Sequence, residues 1–114
     1  MVSHLVGTRF IDSILEEANF SWARLEEADF SWAKLRRANF NRAHLEGAIL
    51  EHADLEEATF YRAHLDKSHL REASLRKAKF KKARFIEADL QGVCLRNANL
   101  EGSDFTKAIL QKLI

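Results

Sequence analysis

At 114 residues, with 46% apolar and 31% charged side chains, the chain has the bulk for one globular domain, taken as 1–114, but not for two cores, and its composition is not that of a disordered protein. One cysteine, Cys94, excludes an internal disulfide and a cysteine-based zinc site; with no basic-then-apolar start and no apolar run of ~20 residues, neither a signal peptide nor a membrane span is expected, and a cytoplasmic setting follows. The net charge of +1 conceals an asymmetry: residues 1–57 carry six basic against eleven acidic side chains, and residues 58–114 carry twelve against six.

From the first residues onward the chain repeats every five positions. Residues 5, 10, 15 and so on to 110 are Leu or Phe without exception, and all eight phenylalanines lie among them. Two residues earlier, from Ser3 to Ala108, 20 of 22 positions are Ala or Ser, Thr8 and Val93 being the others. The stretch Ala18–Ala48, ANFSWARLEEADFSWAKLRRANFNRAHLEGA, shows the unit most plainly. Segments such as ARLEEAD are rich in helix formers, but residues five apart on an α-helix are rotated by about 140°, which would scatter the Leu/Phe set around the whole circumference. The small and large apolar positions, two apart, instead share one face of an extended backbone. A coil that turns a corner once per unit, with those two side chains inside and the other three outside, satisfies the period.

The units Ala18-Asn19-Phe20, Ala28-Asp29-Phe30, Ala53-Asp54-Leu55, Ala88-Asp89-Leu90 and Ala98-Asn99-Leu100 fit a pattern A-[D/N]-[L/F]-x-x that resembles the pentapeptide-repeat family, over repeats from about 3 to 112. The resemblance implies an all-β fold: a right-handed quadrilateral β-helix, a solenoid with four units (20 residues) per coil and about five and a half coils. The sequence departs from the pattern at the second position of several units, as at Arg24, Lys34, His44, Ile49, His64, Lys79 and Arg84; these residues face outward. In that register Phe20, Phe40, Phe60, Phe80 and Leu100 form one core column, and Leu15, Leu35, Leu55, Leu75 and Leu95 another.

The outward columns are where any function resides. Glu16, Arg36, Glu56 and Arg76 alternate in sign, as do Glu17, Arg37, Glu57 and Lys77, and these read as ladders that fix register. Trp22 and Trp32 occupy outward corners on opposite sides of the coil, with Trp22 above Arg42 in its column; tryptophan is enriched among interface hot spots and equally suits a cation–π contact. Arg42, Arg62 and Lys82 share that corner column, with Tyr61, Lys79 and Lys81 on the adjacent face, a basic feature that invites an acidic protein surface. Nucleic acid is not expected, because no recognition element or stacking platform accompanies the charge, and the absence of a membrane span leaves no membrane partner.

His44 and His64 are vertical neighbours flanked by Glu46 and Asp66, which is metal-ligand chemistry, but two imidazoles on a flat wall without a third His or Cys read as surface decoration, and no metal is expected. Cys94 stands above no base, the glycines are isolated, and a filled coil has no pocket. No catalytic residue, cofactor or enzymatic activity is expected.

The C-terminal coil, with Phe105, Leu110, Leu113 and Ile114, ends in an apolar tail. Residues 107–114 read as either a short helical cap or half of an end-to-end contact. The family resemblance favours a homodimer through this coil; head-to-tail pairing of the acidic and basic halves is the other assembly the charges suggest. The resemblance and the lack of catalytic motifs together imply a non-enzymatic protein–protein interaction scaffold with an unidentified protein partner. A DNA-mimicking binder of gyrase or topoisomerase IV, of the quinolone-resistance type, is the alternative.

Overall fold

Every unit is built around the same tight turn. The computed structural model describes residues 3–114, and from residue 7 to residue 112 every fifth residue has φ between 54° and 71°. The following small residue donates its N–H to the carbonyl three residues back: Ala23 to Phe20 at 3.0 Å, Ala63 to Phe60 at 3.0 Å. The residue before the positive-φ position keeps a negative φ, so these are type II turns with the left-handed residue third. Eighteen of those corner residues are not glycine, although the left-handed region is unfavourable for a side chain with a Cβ by ~1–2 kcal/mol. The coils above and below hold each corner in place regardless.

The coils then stack in parallel. Bridges run from His4↔Arg24 to Asp89↔Ile109, each joining residue n to residue n + 20. Four turns therefore close one coil, and the cross-section is four-sided. Of the five amides in a central unit, two reach the next coil, as Leu25 does to His44 at 2.8 Å and Glu27 to Glu46 at 3.0 Å. One closes the turn, and one reaches the previous coil, as His44 does to Ala23 at 2.9 Å. The amide just after each Leu or Phe has no backbone acceptor.

That orphan amide explains the acidic or amide residue in the repeat. Asn19 Oδ1 accepts the Ser21 N–H at 2.9 Å, Asp29 that of Ser31 at 3.0 Å, Asn39 that of Asn41 at 2.9 Å and Asp54 that of Glu56 at 3.2 Å. Asp89, Asn99 and Asp104 do the same for Gln91, Glu101 and Thr106. A short side chain that hydrogen-bonds two residues ahead is the characteristic property of Asn and Asp. Where Thr59 takes their place, Asn41 in the preceding coil accepts the Tyr61 N–H at 2.8 Å.

The interior is a column of alanines opposed to Leu and Phe. From Ala23 to Val93 the inward residues are fully or almost fully buried, and the buried polar residue among them, Ser68, donates its hydroxyl to the Leu65 carbonyl at 2.7 Å. Phe20, Phe40, Phe60 and Phe80 stack at centroid spacings of 5.2, 5.1 and 5.0 Å, and Phe10 stacks on Phe30 at 4.7 Å. The two stacks meet edge to face, Phe30 on Phe40 at 5.7 Å and 89°. Both geometries are favoured by the aromatic quadrupole. The expected core columns are thus present.

The molecule measures 33 × 24 × 20 Å. At its C-terminal end one of the two readings of the tail, a short helical cap, does not form: residues 107–114 contain turns and a bridge but no helix. Leu95 donates to the Ile114 carbonyl at 2.9 Å and Ile114 donates to Val93 at 3.1 Å. The tail continues the coil because those pairings bond it to the coil before it, whereas a helix this short must first bear an unfavourable nucleation step. The sign ladders are partial. Arg37 meets Glu17 at 3.4 Å, but Arg36 turns to Asp54 at 2.7 Å and only approaches Glu56, at 3.9 Å, where Arg76 also points, at 4.0 Å. Among the described residues no helix is long and apolar enough to cross a membrane.

Candidate functional site

The corner that begins at Trp22 carries the chemistry least explained by the fold. Trp22, Arg42, Arg62 and Lys82 occupy the left-handed position of four successive coils, with φ of 65°, 60°, 54° and 59°. The parallel register sets them one above another at about the 4.8 Å sheet spacing.

The aromatic groups order this column. The Arg42 guanidinium lies 4.9 Å from the Trp22 ring centroid and 5.5 Å from that of Tyr61, and the Arg62 guanidinium lies 5.4 Å from Tyr61. Arg62 Nε also donates to the Tyr61 hydroxyl at 3.0 Å. That hydrogen bond, helped by the positive charge of Arg62, Lys82 and Arg42, holds the Tyr61 phenol below its ordinary value against a smaller opposing effect of burial. The contacts are cation–π pairs that also restrain two flexible arginines. Trp22 nevertheless remains 54% exposed.

Among the described residues no acid is ion-paired with this corner. Ion pairs occur elsewhere on the surface, at Arg24–Glu26, Arg36–Asp54, Arg71–Asp89 and Arg84–Asp66. Among the described residues none involves Arg42, Arg62, Lys79, Lys81 or Lys82. Lys79 and Lys81 stand exposed on the wall that leads into the corner. On the wall that leads away, His44, His64 and Arg84 join Trp22, Arg42, Arg62 and Lys82 to line a shallow cleft of about 260 Å³.

The structure therefore gathers seven of the sequence-selected surface residues: Trp22, Arg42, Tyr61, Arg62, Lys79, Lys81 and Lys82. Trp32 is not among them. It stands in a different column, 58% exposed, and stacks on His52 at 4.2 Å and 7°. The C-terminal residues Phe105, Leu110, Leu113 and Ile114 lie at one end of the rod, where Leu110 is 42% exposed. Sequence reasoning set His44 and His64 aside as surface decoration and noted Arg84 only as an outward-facing departure from the repeat, without joining them to the corner as the far wall of the cleft. It overlooked Asn41, which holds the Tyr61 backbone. The wall was legible in principle, since residues two apart across a turn remain neighbours; Asn41 was legible once Thr59 was seen to interrupt the Asn/Asp series.

The repeat geometry and the sequence comparisons agree. The family model for pentapeptide repeats matches the chain in eight copies, over residues 3–42, 38–76, 53–92 and 83–113. The chain belongs to the pentapeptide-repeat family. A pentapeptide repeat protein of the Arabidopsis thaliana thylakoid lumen is 32% identical over 94% of this chain and 67% of its own, with a TM-score of 0.67. Rfr23, a pentapeptide repeat protein from the cyanobacterium Cyanothece, is 25% identical over 95% of this chain and 88% of its own, with a TM-score of 0.60. Among curated proteins none matches significantly. These relatives are right-handed β-helix solenoids, and this pentapeptide-repeat chain shares that architecture.

Proposed function

We propose that this protein is a non-enzymatic protein–protein interaction scaffold, and that its contact surface is the corner formed by Trp22, Arg42, Tyr61, Arg62, Lys79, Lys81 and Lys82. The observation that carries the reading is a set of five cations without an ion-pair partner among the described residues, of which Arg42 and Arg62 are ordered by the Trp22 and Tyr61 rings. Stacked like charges repel one another, so an acidic partner surface relieves a cost that the free protein bears. Trp22 offers the exposed aromatic area typical of a hot spot beside that charge. Trp32, on its own column, supplies a second and independent contact. The free thiol of Cys94 is in keeping with a cytoplasmic setting.

The test is capture from native lysate by wild-type protein and by the triple variant Arg42→Glu, Arg62→Glu, Lys82→Glu. The reading expects a specific protein to be retained by the wild type and lost from the variant, with capture weakening as salt rises. Equal capture by both overturns it, as does retention of nucleic acid alone.

Self-association is a separate part of the proposal. Leu100, Leu110, Leu113 and Ile114 leave apolar side chains exposed at the C-terminal end, beside Phe105, and an uncovered coil edge is a template for pairing. We propose a homodimer through this coil; a mass that stays monomeric at every concentration in light scattering removes it. The duplex-DNA mimic that binds gyrase requires an acidic wall along the rod, and the run of Arg42, Arg62 and Lys82 weighs against it. A supercoiling assay with no inhibition and no protection from quinolone discards that alternative.

A further inference from the structure

We infer that His44, His64 and Glu46 form a binding site for a divalent transition-metal ion of the zinc type. The three residues occupy two adjacent columns of one wall in successive coils. His44 and His64 are paired by a parallel bridge, with the Leu45 N–H on the His64 carbonyl at 2.7 Å. Their imidazoles stack at 4.8 Å and 7°. Glu46 follows His44 by two residues on the same extended strand, so its side chain emerges on the same face. Its Oε2 lies 3.5 Å from His44 Nδ1. One ligand atom from each residue lies within 4.8 Å of the other two.

The donor set suits such an ion. Two neutral imidazoles and one carboxylate are ordinary zinc ligands, with bonds of about 2.0–2.2 Å, and a tetrahedral site with such bonds has ligand atoms roughly 3.4 Å apart. Closing from 4.8 Å to that spacing needs side-chain rotation alone, since the backbone bridge already fixes the two strands. The rotation is open to them because His44 and Glu46 keep 36% and 38% of their side-chain surface exposed. The other carboxylate oxygen, Glu46 Oε1, is buried without a hydrogen-bond partner, as is Asp66 Oδ1 next to it in the column. A cation held by the two imidazoles and this carboxylate offsets the charge of a group short of hydrogen-bond donors.

The electrostatic surroundings are mixed. Arg24 is paired with Glu26 at 2.8 Å and Arg84 with Asp66 at 3.3 Å, so those two cations are offset. Arg42, Arg62 and Lys82 line the cleft on the other side of the histidines. Their charge lowers affinity for any divalent cation; the choice among cations comes from the donors, since two imidazoles suit a transition ion and magnesium or calcium depend on carboxylate oxygens. The site does not rest on the protein-interaction reading, and loss of either leaves the other standing.

The test is titration of untagged, metal-free protein with Zn²⁺ by calorimetry and with Co²⁺ by visible absorption. The expected result is saturable binding of one ion per chain, weakened roughly tenfold or more by His44→Ala and by His64→Ala, reduced by Glu46→Gln, and unchanged by His52→Ala or His69→Ala. These positions project from the wall and leave the core untouched, and circular dichroism confirms that each variant is folded. Wild-type affinity in His44→Ala or His64→Ala overturns the assignment, as does the absence of saturable binding at millimolar metal.

Discussion

Asn41 Oδ1 accepts the backbone N–H of Tyr61, one full coil away, at 2.8 Å. The same Asn41 gives its own N–H to Asn39, as the local pattern dictates. One side chain therefore supplies the acceptor that the Thr59 unit lacks, and it does so beneath the aromatic ring on which Arg42 and Arg62 rest. Asn41→Ala is expected to cost about 1 kcal/mol, the net value of a hydrogen bond that shields a partly buried donor. Chemical denaturation measures that loss, and an unchanged midpoint contradicts it.

The lone tyrosine reports on the corner directly. Because the Arg62 hydrogen bond is the leading cause of the lowered Tyr61 phenol, spectrophotometric titration should show its ionisation below the ordinary value of 10.0. Arg62→Gln should move it upward. An unshifted titration in the variant means that Arg62 does not hold the phenol in solution.

Phe60 lies in the middle of the aromatic stack and is wholly buried. Phe60→Ala should cost roughly 3–5 kcal/mol, the usual range for a large aromatic removed from a core. Phe105→Ala should cost less, since Phe105 is only partly buried in the last coil. Equal losses at the two sites speak against an end-weakened rod.

The corners offer a gain. Lys77 holds φ of 60° on an exposed corner, and Lys77→Gly should raise stability by about 0.5–1 kcal/mol, the left-handed penalty less the extra freedom of glycine in the unfolded chain. Gly92→Ala should do the reverse, because φ is +71° and the new Cβ would meet Glu72 Cγ at 3.1 Å. Thermal unfolding of the two variants should move in opposite directions.

Acid should weaken the fold partly through Glu26. The Arg24 hydrogen bond is the main cause that lowers the Glu26 carboxyl from 4.5. The unfolded chain therefore takes up a proton there first as pH falls, and the stabilisation, complete above the unfolded value, is lost as pH drops past 4.5 and through the folded value. Glu26→Gln should show a smaller loss between neutral and acid pH than the wild type. An identical pH profile removes Glu26 from the account.

The repeat told most of this fold in advance, for a definite reason. Leu and Phe at every fifth residue, with Ala or Ser two before, encode the interior of a coil that turns one corner per unit; with the four-unit coil that the family resemblance implies, the columns from Phe20 to Phe80 were readable as letters. What the letters did not show was how outward side chains lean. Arg36 was placed in a ladder with Glu16 and Glu56, yet it bends to Asp54, because a long flexible side chain takes the best carboxylate within reach. The apolar tail left two readings open, a short helical cap or an end-to-end contact, and hydrogen bonds between Ile114 and the coil that holds Val93 and Leu95 carry it on as coil without a helix. Glu46 was named beside His44 and His64 and set aside, since a one-dimensional pattern gives the column but not the distance at which two side chains meet.

The n to n + 20 register has a consequence for how such a chain tolerates change in length. Insertion of one five-residue unit leaves every turn and every inward side chain in order, yet it rotates all later residues by a quarter of the circumference. An extra unit between Arg42 and Tyr61 would carry Arg62 and Lys82 to the neighbouring edge while the rod remained intact. Twenty inserted residues would restore the alignment and leave only a wider gap. Surface and scaffold are therefore separable by a shift of phase, which lets a family of such rods place the same side chains on different edges without altering the interior.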